Sequence, residues 1–213
     1  MALTMKALAE KDKAVSLVWA NTALKVLQDL DKWLKSKGSP AAIDRKLLPS
    51  HLPKVIDALE THFHIGTAAS QSLLVGSIVS IYKDVIAILN ASGTRFVDDT
   101  TSPEVAKGTI AHCPYDDGKS ANVNFTPHFK EWDSTTGTGF GPFCRAAMVL
   151  HEPVHIVDFP MASQKINHVY EHDPRYKLLT ASQAVHNASS YACFAQQMNF
   201  GSDTRFGAGK PQF

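Results

Sequence analysis

The chain has 213 residues, 44% of them hydrophobic, with 21 Lys and Arg against 20 Asp and Glu and a formal charge of +1. That is enough chain to bury a proper core, and the scattered basic residues lack the cationic stripe that nucleic acid or an anionic membrane surface would call for. No apolar run is long enough for a membrane span, so neither nucleic acid nor a membrane span is expected.

The opening stretch from Met1 to Lys13 alternates charge with short apolar pieces. In the chain as given it lacks the continuous apolar segment and cleavage site of a secretory signal. The compartment stays open between retention in the cell, export by another route and a mature or trimmed form. From there Leu8, Val15, Val18, Trp19, Leu24, Leu27, Leu30, Trp33 and Leu34 fall mostly at three- and four-residue steps until Gly38-Ser39-Pro40. That spacing predicts an amphipathic helix from Ala7 to Lys37. The same periodicity predicts a second helix from Leu52 toward His64 and a third from Ala68 to Asn90, ended by Ser92-Gly93. Residues 1–92 thus read as a helical subdomain.

Beyond Thr94 the texture changes. Arg95-Phe96-Val97, Thr109 to His112 and Ala121 to Phe125 are short β-leaning runs between Asp, Gly and Pro clusters, which predicts a small sheet. Lys130 to Pro142 is a polar, glycine-rich loop of the kind that meets substrate. It leads into Phe143 to Leu150, helix formers that follow Pro142 as they do where proline occupies a helix's first turn. A loop with Pro160 and Pro174 follows, then a final helix from about Leu178 to Met198. The fold class is α+β, with a second subdomain over residues 93–200 and a loose tail over 201–213. Cys113, Cys144 and Cys193 match no zinc ribbon or dense disulfide framework and read as core thiols, one disulfide being the alternative.

His151-Glu152-Pro153-Val154-His155 carries the chemistry. Residues four apart are neighbours on one helix face, so both imidazoles can close on one zinc ion. The pattern is the HExxH of zinc peptidases, in which the glutamate is general base toward a metal-bound water. Pro153 removes one helical hydrogen bond and crowds the Val149 carbonyl, so a bend is expected at the site. Catalytic zinc usually has three protein ligands and an open fourth position, so a further side chain must arrive from downstream. Met161 stands where a histidine six residues past His155 would be. Asp158 would have to reach past His155, and reads as a supporting or surface group. Asp173 lies in a turn with room to fold back over the site. His168, Glu171, His172 and His186 stand in reserve. An ordinary turn aspartate before Pro174 and a buried, satisfied Tyr176 are the structural alternatives. His112, Cys113 and His128 have no patterned spacing for a second metal cluster.

The ordered set HExxH, then Asp173-Pro174-Arg175-Tyr176, then Asn187-Ala188 ahead of Tyr191 and Phe194-Ala195, resembles the aspzincin zinc metalloendopeptidases, the deuterolysin and peptidyl-lysine metalloendopeptidase group. Asn122 to Phe129 is similar to that family's edge strand before the active-site helix. The likeness covers about residues 94 to 198. It departs from the family where Tyr170-Glu171 replaces Gly-Thr and Lys177 replaces Gly. The resemblance implies a zincin-like fold, with His151, His155 and Asp173 as zinc ligands, Glu152 as general base and Tyr176 assisting at the transition state. It also implies a protein or peptide substrate. On the residues alone, Asn187 or Tyr191 are candidates to orient the ligating histidines. Two other classes fit the same motif: a catalytically inactive metallopeptidase-like binding protein, and a metal-dependent hydrolase of a non-peptide substrate.

Overall fold

A computed structural model describes residues 3–38, 43–66, 69–91, 95–113, 122–131, 144–158, 168–171 and 173–201. The predicted loop positions 132–143, Pro160, His172 and the tail beyond Gly201 lie outside them.

α1 (Met5–Ser36) begins where Thr4, in extended conformation, accepts a hydrogen bond from the Ala7 N–H at 3.1 Å, satisfying one of the donors a helix start leaves over. Its buried positions Met5, Ala9, Asp12, Ser16, Trp19, Ala23, Leu27, Leu30 and Leu34 step by three and four along one face. The stripe is rotated from the one the apolar residues predict: Val18 is 58% exposed, while Asp12 and Ser16 are inside. The cause is α5 (Arg145–Val157), which crosses α1 here. Arg145 Nε donates to Asp12 Oδ2 at 2.6 Å, and Ser16 Oγ donates to the Ala146 carbonyl at 2.7 Å. Two polar side chains therefore lock the first turn of α5 onto α1. α2 (Leu52–Phe63) and α3 (Ala69–Asn90) lie where their periodicity predicts them.

β1 (Phe96–Asp98), a one-turn α4 (Pro103–Ala106), β2 (Ala111–His112) and β3 (Val123–Phe125) follow. The sheet order is β1-β3-β2, with β3 parallel to β1 and antiparallel to β2. Phe96, Ala111, Val123 and Phe125 are buried, and His112 and Asn124 alternate with them on a less buried face, as a period of two requires. The expectation that Asn122 to Phe129 forms the edge strand is corrected. β3 is central because it is paired on both sides, and β2 is the edge that reaches α5.

Eleven of the thirteen residues of α5, Arg145 to His155, are buried. The helix starts at Arg145 with Cys144 as its cap residue, three positions past Pro142, so proline does not occupy its first turn. It runs on through Pro153, and the Asp158 N–H closes it on the Val154 carbonyl at 2.9 Å. The long final helix predicted from Leu178 is broken. Thr180 and Gln183 form a reciprocal capping box that opens a short α6 (Ala181–Val185). The chain turns at His186-Asn187, and α7 (Ala188–Phe200) then runs to Gly201, whose φ of 77° is the left-handed stop glycine allows. One apolar cluster runs from Met5 through Val154 to Ala195, so the helices of the first 92 residues and the later elements share a core in this α+β fold. The three cysteines are buried free thiols. Among the described residues no helix is long and apolar enough to cross a membrane.

Candidate metal centre

α5 delivers His151 and His155 one turn apart, and their Nε2 atoms face each other at 3.1 Å. The third member is His168. One ring nitrogen from each of His151, His155 and His168 lies within 4.8 Å of the others, the one such group of three or more ligand side chains among the described residues. The ring of His168 stands 5.4 Å from that of His151 and 4.8 Å from that of His155.

The donor set fits a metal ion. Two imidazole nitrogens bound to one tetrahedral zinc at about 2.0–2.1 Å sit roughly 3.3 Å apart, close to the separation of the helix pair. Burial, then the neighbouring His155 and His168, holds the His151 ring well below the ordinary histidine value. Burial, then His168, brings His155 down to about 3, and desolvation of the inward part of its ring lowers His168 as well, although that residue as a whole is exposed. All three are therefore neutral imidazoles with a lone pair to give at neutral pH, which is the ligating form.

Glu152 is 4% exposed, and burial pushes its carboxyl up to about 7 against the opposing hydrogen bond from Cys113. The Cys113 Sγ donates to both the Glu152 carbonyl and Oε2 at 3.4 Å. Burial, together with that carboxylate, keeps Cys113 a thiol. Glu152, His155, His168 and Tyr170 line a cavity of about 430 Å³ together with His112 and Cys113 at the β2 edge. A carboxyl poised near neutrality on a cavity wall can take up and release a proton in turn.

Three contacts hold the centre from behind. Ser189 Oγ lies 3.4 Å from His151 Nδ1. Asp158, at the end of α5, accepts from His186 Nδ1 at 2.8 Å. Asn187 bonds the backbone of Val169, between His168 and Tyr170, at 3.0 and 2.9 Å. Of the two side chains expected to orient histidines, Asn187 thus acts on the segment carrying one. Tyr191 instead donates its hydroxyl to the Val185 carbonyl at 2.7 Å.

The structure brings together His151, Glu152 and His155 of the predicted set, and it does not bring Asp173 or Tyr176 to them. The Asp173 carboxylate caps its own turn, accepting from the Arg175 N–H at 2.9 Å and pairing with the Arg175 guanidinium. Tyr176 is 2% exposed in a small cluster with Val169, Leu179 and Ala184, its hydroxyl 3.1 Å from His62 Nδ1 on α2. The tyrosine at the centre is Tyr170, whose ring stacks on His151 at 5.9 Å and lies 4.7 Å from His168. Within the sequence, the alternation His168-Val169-Tyr170 is the one signal for this segment, and it is short. His186 is engaged by Asp158, His112 by Asp99 at 2.7 Å, and His128 by Glu131 at 3.1 Å. No protein-family model, curated protein or solved structure matches the chain.

Proposed function

We propose that the chain is a zinc-dependent hydrolase of peptide bonds, with the ion held by His151, His155 and His168 and with Glu152 as general base. The reading rests on one observation: the buried Glu152 carboxyl lines one cavity with His155 and His168, two of the three neutral imidazoles whose ring nitrogens lie within 4.8 Å of one another. Three histidines with an open position are a donor set that catalytic zinc accepts, and a redox-inactive ion suits hydrolysis. When bound, zinc supplies Lewis acidity toward a carbonyl and acidifies water. Glu152 would take a proton from a water molecule in the cavity and deliver it to the leaving amine. The Tyr170 phenol, on the cavity wall, is the donor best placed to meet a developing oxyanion, in the role the family resemblance implies for Tyr176. A peptide is favoured over other substrates because β2, one of the sheet's two edge strands among the described residues, lines the same cavity. Extended chains bind by adding to such edges.

The test is hydrolysis of a mixed peptide library by the zinc-loaded protein and by Glu152→Gln. The variant should bind zinc as the parent does and lose nearly all cleavage. Equal cleavage by the two proteins would end the peptidase reading, and cleavage of esters but not peptides would redirect it to a non-peptide substrate.

A further inference from the structure

We propose that Asn187 is a positioning residue that builds the third arm of the metal centre by fixing the backbone that carries His168 and Tyr170. The proposal rests on the reading of His151, His155 and His168 as one metal site.

Asn187 is fully buried and stands at the cap position of α7, where an asparagine ordinarily turns its side chain onto the helix's first free N–H groups. Here the side chain makes no such bond. The Val169 N–H donates to Asn187 Oδ1 at 3.0 Å, Asn187 Nδ2 donates to the Val169 carbonyl at 2.9 Å, and Nδ2 also donates to Ser190 Oγ at 3.2 Å. One amide thus engages both backbone polar groups of a single residue, as a paired strand would.

The consequence follows from side-chain alternation. Val169 is 3% exposed and turned inward, while His168 and Tyr170 on either side are exposed residues whose rings meet at 4.7 Å and line the cavity. Fixing the Val169 peptide groups sets the direction of both neighbours. The turn that carries Asn187 is itself registered on the helix that carries the other two ligands. His186 bonds Asp158, three residues past His155, and Ser189 reaches His151. Residues 186–189 therefore act as a spacer between the imidazoles of α5 and the imidazole of the 168–170 segment. Outer contacts that orient metal ligands typically cost about 10–100-fold in metal affinity when removed.

The experiment measures zinc affinity by chelator competition, and the absorption spectrum of bound Co²⁺, in the parent and in Asn187→Leu, Asn187→Asp and His168→Ala. Asn187→Asp is isosteric and keeps the acceptor for the Val169 N–H; its ionised form loses the donor to the Val169 carbonyl while its protonated form keeps one, so it tests the clamp as a function of pH without emptying a buried site. Zinc affinity is expected to fall about 10–100-fold in Asn187→Leu and by less in Asn187→Asp. The Co²⁺ spectrum of both should move toward that of His168→Ala, with helical circular dichroism retained in Asn187→Asp. Adding His168→Ala to Asn187→Asp should lower affinity little beyond His168→Ala alone, because both changes remove the same ligand. A folded Asn187→Leu, or a folded Asn187→Asp at a pH where its carboxyl is ionised, with parental affinity and parental spectrum overturns the clamp while leaving the metal site standing. A parent that binds neither ion, or a His168→Ala indistinguishable from it, overturns the site reading and the clamp with it.

Discussion

The helix-borne and segment-borne halves of the metal centre are held by different physics. His151 and His155 are 3% and 4% exposed on a helix of which eleven of thirteen residues are buried. Their spacing is set by helical geometry and their depth by packing. His168 lies outside any helix or strand and is an exposed residue, and its place depends on hydrogen bonds between Val169 and Asn187. Removing packing should therefore destroy the first half together with the fold, whereas removing one hydrogen-bonding or ligating side chain should disable the second half and leave the fold intact.

The largest effect is expected where α5 is pinned to α1. Asp12→Ala leaves the Arg145 guanidinium buried without the carboxylate it bonds at 2.6 Å. Breaking a buried pair from one side costs about 3–5 kcal/mol. Urea denaturation should show that loss, and zinc binding should fall with it. A change within about 0.5 kcal/mol would show that α5 does not depend on this anchor.

The next effect separates Glu152, the proposed general base, from the three candidate ligands by pH. Glu152 titrates near 7 in the folded chain against an ordinary 4.5, so between those values the folded protein holds a proton the unfolded chain has lost. Stability contributed by this group falls as pH rises through that window. Glu152→Gln removes the penalty. In metal-free protein the variant should gain on the parent by about 3 kcal/mol between pH 4.5 and neutrality, read from urea melts at both ends. A difference that stays flat with pH would show that the carboxyl is not buried as described.

His168→Ala and His155→Ala sharpen the contrast directly. Both should weaken zinc by about 100-fold or more, since each removes a ligand rather than a supporting contact. Only His155→Ala should also lower metal-free stability by more than about 1 kcal/mol, because only it opens a hole in packed core. Equal stability losses would mean that the 168–170 segment is as deeply built in as the helix.

The same contrast explains what could be read from the chain. Three long helices follow from apolar spacing because each buries one continuous stripe, and His151-Glu152-Pro153-Val154-His155 follows because its geometry is local to one helix. Asp12 and Ser16 broke the reading of α1, since their partners Arg145 and Ala146 lie more than a hundred residues away. Asp173 has the spacing the family resemblance implies, but Arg175 two residues on pairs with its carboxylate, and His168 is set in place by a side chain from beyond it in sequence. The break at His186-Asn187 was hidden because the residues on both sides are helix formers, and the capping box at Thr180 and Gln183 was the local clue to a separate α6.

The smallest expected effect tests whether the helix half needs any outer support. Ser189 Oγ sits 3.4 Å from His151 Nδ1, near the outer limit for a hydrogen bond, and such a bond between neutral groups contributes about 0.5–1.5 kcal/mol at most. α5 already fixes the His151 backbone, and the rings of His155 and Tyr170 confine its side chain. Ser189→Ala should therefore weaken zinc by no more than about tenfold, less than Asn187→Leu does for His168, and should leave the melting temperature of metal-free protein nearly unchanged. If chelator competition instead gave Ser189→Ala the larger loss, the ranking of the two halves would reverse. The imidazole on the helix would then be the one that depends on its hydrogen-bond partner.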